Sequence, residues 1–334
     1  MLTLTGAEKR QLTKRFTENI EAYQAYLKGR YFWNKRTREG LKKGIEYFQQ
    51  AIEKDPSYAS AYSGLSDSYA LVVLQEALSP NEGFPKARAA AERALEIDET
   101  LAEAHTSLAF VRQAYDWDWL SAETEFKRAI KLNPSYATGH HWYAMYLTAM
   151  ERFDEAITEI KRAQELDPVS LVINTNVGVV LYFARQYDQA IEQLRNTLDM
   201  DPSFVWARIY LGLSYEQKGQ WPEAIAEFRK ARLLDETPVI SAALGHAYAM
   251  AGRGREVEEV LAELKRLSQQ RYVSPYSVAI IYTSLGGKDQ AFEWLQKAYE
   301  GRSVGLYRLK VEPRLDSLRS DPRFQDLLRR IGLQ

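Results

Sequence analysis

Small and large apolar residues recur along the chain at one long spacing, and the spacing inside each recurrence is helical. Pro134, Pro168 and Pro202 stand 34 residues apart, each behind an Asp or Asn (Asn133, Asp167, Asp201). Pro56 follows Asp55 in the same way, and Glu99 and Glu236 hold the proline slot elsewhere. Proline disfavours helix in the residue ahead of it and is tolerated in the first turn of the helix behind it, so each pair marks a break between helices. Twelve residues ahead of the break stand Ala87, Ala122, Ala156, Ala190 and Ala224; five ahead stand Ala51, Ala94, Ala129, Ala163 and Ala231. Eight ahead stands a large residue: Phe48, Phe126, Ile160, Leu194 or Phe228. Offsets of four and three put these columns on one helix face, where alanines admit a neighbouring helix and the large side chain fills the space beyond.

The first half of each unit has its own pattern: Tyr62, Leu65 and Tyr69; Leu108 and Ala109; Leu211, Gly212 and Tyr215; Leu244, Gly245 and Tyr248. A short polar or glycine-containing turn divides the halves, as at 151–154 and 218–221. The chain is thus predicted to be all-α, a right-handed superhelical solenoid of about eight helix-turn-helix units over residues 17–304. The expected unit boundaries are 17–58, 59–101, 102–136, 137–170, 171–204, 205–237, 238–271 and 272–304. The second unit is lengthened by a polar stretch, 75–85, that holds two prolines and reads as a loop. The third is one residue long at Tyr115-Asp116-Trp117-Asp118-Trp119, and the seventh carries Val257 where alanine is expected. Residues 1–16 read as a leading segment, with capping-box spacing at Thr5 and Glu8. Residues 305–334 read as a C-terminal cap whose last helix starts at Asp321-Pro322 and bears Leu327, Leu328 and Ile331.

Charge changes this picture little. Lys plus Arg is 44 and Asp plus Glu is 45, so nothing draws the chain over distance to nucleic acid or an anionic membrane. With no cysteine, disulfides and thiolate chemistry are excluded. No apolar run reaches the ~20 residues of a membrane span, and residues 1–16 lack the layout of a secretory signal. These features point to a cytoplasmic protein without membrane insertion.

Candidate chemistry is sparse. No glycine loop ends in Gly-Lys-Ser/Thr, and no His-Glu-x-x-His is present. His140 and His141 are adjacent and diverge on a helix, so packing is the expectation for them and no metal is assigned. Carboxylate pairs such as Glu123 and Glu125 read as solvated helix faces. No catalytic residue and no cofactor follow, and the chain is read as not an enzyme. The aromatic residues fall mainly in core columns without a basic stripe, which argues against RNA. Trp117 and Trp119 stand apart, in a turn between aspartates; they read either as packing or as a candidate partner hot spot.

The column order resembles the tetratricopeptide repeat, a 34-residue helix-turn-helix unit. Further segments resemble a bacterial subgroup of such repeats: residues 12–19, residues 25–35, the Tyr115–Trp119 turn, residues 137–144 and residues 318–324. That subgroup forms the C-terminal part of signalling proteins whose N-terminal part is a serine/threonine kinase, a nucleotide cyclase or a winged-helix regulator. The resemblance implies a non-catalytic scaffold that binds a protein or peptide on its concave face, or the sensory half of such a signalling protein. The family register puts the groove at Thr106, Phe110, Gln113, His141, Met145, Thr175, Val179, Tyr182, Ile209 and Leu213. The Lys/Asn/Arg clamp with which some relatives hold a chaperone tail is missing there. Self-association through a terminal repeat remains open.

Overall fold

A computed structural model describes residues 17–334; the leading segment 1–16 and its Thr5 and Glu8 lie outside them. Among the described residues, sixteen helices form eight pairs. They are α1 (Ile20–Asn34) with α2 (Arg38–Lys54), α3 (Ala59–Leu74) with α4 (Pro80–Ile97), α5 (Ala102–Val111) with α6 (Trp119–Leu132), and α7 (Ala137–Ala149) with α8 (Phe153–Leu166). The series continues as α9 (Leu171–Phe183) with α10 (Tyr187–Met200), α11 (Val205–Gln217) with α12 (Trp221–Leu234), α13 (Pro238–Met250) with α14 (Gly254–Leu267), and α15 (Pro275–Ser284) with α16 (Lys288–Glu300). Two 3-10 turns, Val304–Arg308 and Pro313–Leu318, lead to α17 (Pro322–Arg330). This is the all-helical repeat solenoid that the column spacing predicts. No described helix is long and apolar enough to cross a membrane.

The breaks between units work as the Asp/Asn-Pro pairs require. The side chains of Asp55, Asn133 and Asp201 accept from the backbone N–H two residues on, at 2.9, 3.2 and 2.8 Å. This local turn diverts the chain from helix before the next unit begins. The two helices of a pair are buried differently. An outer helix such as α8 hides one stripe, Ala156, Ile160 and Ala163. An inner helix such as α7 is buried on every side from Gly139 to Ala149. The inner helices therefore form one layer and the outer helices a second, half-solvated one. Between the layers, Phe48, Phe126 and Phe228 are fully buried.

Two irregularities have local causes. The long stretch of the second unit is mostly helix rather than loop: α4 already begins at Pro80. Ser79 and Glu82 form a capping box, and Pro80 occupies a first-turn position that needs no N–H donor. Pro85 lies inside the helix. In the third unit the extra residue is absorbed by a π-helical turn, Arg112–Asp116, that ends at Trp117 with φ 59°.

The solenoid closes on itself. Glu76, in the turn of the second unit, accepts from the Ser274 N–H at 3.3 Å and the Ser277 hydroxyl at 3.1 Å in the eighth. Arg302 donates to the Tyr115 carbonyl at 3.0 Å, and its guanidinium lies 4.1 Å over the Trp117 ring.

The close approach of paired helices sets the first prediction. A Cβ added at Gly212 would stand 2.5 Å from the Phe228 ring, whereas one at Gly254 would meet nothing within 4 Å. Gly212→Ala is expected to lower unfolding free energy by about 1–3 kcal/mol. Gly254→Ala should leave it unchanged or slightly raised. Urea denaturation followed by circular dichroism checks both.

Candidate functional site

Four inner helices, α5, α7, α9 and α11, are each anchored by a side chain one turn from the start, and this brace accounts for two of the four histidines. His105 reaches the Glu99 carbonyl at 2.9 Å and the Glu125 carboxylate. His140 reaches the Pro134 carbonyl at 3.0 Å and Glu159 at 2.6 Å. Asn174 donates to the Pro168 carbonyl at 2.8 Å and receives Gln193. Arg208 donates to the Pro202 carbonyl and to Glu227 at 2.8 Å. In every case the carbonyl belongs to the preceding break and the side-chain partner to the outer helix of the same unit. Burial works against charge on His140, but its two acceptors outweigh it and raise the pKa. Among the described residues no three His, Cys, Asp or Glu side chains converge on a common point.

The ten groove positions face inward, and none is more than 5% exposed. Thr106 and Phe110 come from α5, Gln113 from the π turn, His141 and Met145 from α7, Thr175, Val179 and Tyr182 from α9, and Ile209 and Leu213 from α11. The open groove expected for a partner is filled by the chain's own C-terminus. Tyr307 meets Phe110 edge-on at 6.3 Å between ring centres. Arg308 donates to the Tyr210 hydroxyl at 2.7 Å, and the Tyr182 hydroxyl donates to Glu312 at 3.4 Å. Arg314 pairs with Glu312 at 2.8 and 2.9 Å. At the rim, Arg185 makes a bidentate pair with Asp316 at 2.6 and 2.8 Å.

Trp117 and Trp119 are also turned inward, because the same return covers them. Trp117 stacks on Tyr299 at 5.3 Å. Trp119 donates from Nε1 to the Ile331 carbonyl at 2.7 Å. Trp117 thus joins the third unit to the eighth, and Trp119 joins it to the C-terminal segment.

The sequence did carry a signal for the returning segment. Leu306, Leu309, Leu315 and Leu318 are all fully buried and are spaced by multiples of three, with Glu312 in the missing slot. Leu306 lies in the first 3-10 turn, and Leu315 and Leu318 share one edge of the second, where three residues make a turn. A search at helical and strand periods alone passes over this spacing.

A chamber of about 260 Å³ remains between the inner helices and the returning segment. Its walls are mainly apolar, with Phe110, Trp142, Met145, Val179, Trp206 and Ile280 among them. Arg36, Glu76, His141, Thr175, Tyr276 and Arg308 also line it. Burial, with Arg36 and Arg308 nearby, pulls the His141 pKa down to about 3 and keeps the ring neutral. Burial likewise pulls Arg36 down to about 9 and pushes Glu76 up to about 7, the latter against the pull of its two serine donors.

The family model for the tetratricopeptide repeat matches residues 118–170 and 178–238. No curated protein matches the chain. Among solved structures, yeast Tom70 superposes with a TM-score of 0.53 at 14% identity, covering 97% of this chain and 72% of that one. A monomeric mutant of IFIT1 with Gppp-AAAA superposes with a TM-score of 0.55 at 15% identity, covering 78% of this chain and 67% of that one. At such identities the likeness is one of fold.

The buried Glu76 yields a pH prediction. Between its ordinary 4.5 and the raised value of about 7, the folded chain keeps a proton that the unfolded chain has lost. Its contribution to stability therefore falls as pH rises through that window and is level above it. Glu76→Gln keeps an acceptor for the serines and should flatten this part of the profile, gaining on the order of 3 kcal/mol over the parent at pH 8. Asp67, raised to about 6 by burial, adds a slope of the same sign that persists in the variant. Thermal melts of both proteins from pH 4 to 8, compared pairwise, make the check.

Proposed function

We propose, from the premise that the chain is a tetratricopeptide-repeat solenoid, that it is a non-catalytic interaction scaffold whose concave face binds polypeptide. The observation that carries this reading is the occupied groove. Residues 304–318 lie there as a bound peptide would, with leucines at three-residue spacing set against the inner helices. An arginine hydroxyl contact (Arg308 to Tyr210) and the Glu312–Arg314 pair fix their register. Peptide grooves commonly work this way, apolar anchors giving affinity and a few polar contacts giving orientation.

The partner this face suits is a protein segment of like chemistry: apolar side chains every third residue and a polar pair between them. Such a segment competes with the chain's own C-terminus, so capture requires the minor state in which residues 304–318 have left the groove. The same competition operates if the chain works as the sensory part of a larger signalling protein of the kind its sequence resembles.

A peptide of residues 303–320 supplies the test. Leu309→Asp combined with Leu315→Asp should expel the intramolecular segment while leaving the helix content intact. That variant is expected to bind the labelled peptide with a dissociation constant of about 1–100 μM, at least about tenfold tighter than the parent does. A variant that stays helical, whose segment is released to protease, and that binds the peptide no better than the parent would sink the reading.

A further inference from the structure

We propose that the chamber between the inner helices and the returning segment binds a small organic anion, a carboxylate on an apolar body of about ten heavy atoms. The size follows from the volume: a 150 Å³ apolar cavity holds benzene, so about 260 Å³ holds nearly twice as much.

The charge follows from groups without partners. Arg36 is only 9% exposed, lies 3.6 Å over the Trp33 ring, and its buried Nε has no hydrogen-bond partner. The carboxylate of Asp67, which Arg36 senses electrostatically, is occupied by the Ser107 hydroxyl at 2.6 Å and by Arg30 at 3.8 Å. The Nε of Arg308, the Thr175 hydroxyl and the Tyr276 hydroxyl are likewise buried and unpartnered, and the residues that carry them line this chamber. Buried polar groups are ordinarily satisfied, and five of the lining residues hold one that is not: these four donors and the Gln75 Oε1, itself an acceptor. The two guanidiniums among them call for an anion. Thr175 is 2% exposed and Tyr276 7%, so solvent at the outer surface does not serve them.

The carboxylates already in the neighbourhood do not fill that role. Glu312 is held by Arg314, and Glu76 is turned to Ser274 and Ser277. Arg36 and Arg308 line the chamber together with His141, whose pKa both hold down. A carboxylate there receives charged donors from two guanidiniums, the stronger class of hydrogen bond. The aromatic walls receive the body of the ligand.

Because Val304, Gly305, Tyr307 and Arg308 form one wall, the ligand touches inner helices and returning segment together. Binding therefore stabilises the closed groove and opposes peptide capture. This coupling rests on the scaffold reading; the binding itself does not.

The test is calorimetric titration of the full chain with 3-phenylpropionate and with octanoate, paired with a thermal melt. At least one carboxylate is expected to bind and to raise Tm, and its neutral alcohol to bind at least tenfold more weakly. Arg36→Gln should lose at least tenfold in affinity. Val179→Phe, which fills the chamber and leaves every charge in place, should abolish binding while preserving helicity. The inference is overturned if neither carboxylate binds at millimolar concentration, or if Arg36→Gln binds as the parent does. It is equally overturned if inorganic phosphate binds as tightly, since the apolar body would then contribute nothing. If the carboxylate binds but the peptide of residues 303–320 never does, the scaffold reading fails and the chamber stands.

Discussion

From Gly139 to Ala149, helix α7 has no side that water reaches. The inner helices α9 and α13 are nearly as enclosed. A helix that is apolar all round must be covered all round, or the exposed side costs the free energy that its burial otherwise supplies. The outer helices cover one side and the adjacent inner helices cover two. The fourth side faces the axis of the superhelix, and the remainder of the architecture answers to it. Residues 304–333 supply the cover, the chain end ties itself to Trp119, and Glu76 reaches across to the eighth unit.

The same constraint explains what was legible in the sequence. Stripes such as Ala156, Ile160 and Ala163 lie within one helix, so offsets of four and three reveal them without knowledge of any partner. The breaks at Asp55, Asn133 and Asp201 are legible for the same reason, since their hydrogen bonds run only two residues ahead. The braces were hidden because His105, His140, Asn174 and Arg208 do one job with three different side chains. Column identity fails where only reach and donor capacity are shared.

Long-range contacts were the other blind spot. Trp119 and Ile331 are 212 residues apart, and no local period announces their meeting. The ten groove positions are buried, and their environment depends on a segment with short 3-10 turns, a rarer helix than the one that the repeat columns reveal. The start of α4 at Pro80 was obscured because two prolines in a row of polar residues resemble a loop until the Ser79–Glu82 capping box is recognised.

Closure of the superhelix has a mechanical consequence. An open solenoid behaves as a chain of coupled springs: each unit feels only its neighbours, and the ends fray first. Here the indole of Trp119 holds the last turn of the chain, and Arg302 is clamped on Trp117. Stretching the spring along its axis must first break this latch, so the extensional compliance usual in such arrays is suppressed until it opens. Once it opens, the inner face is unlined and the array becomes soft over its whole length. A few aromatic contacts at one seam thus decide whether the molecule behaves as a rigid ring or as an elastic coil.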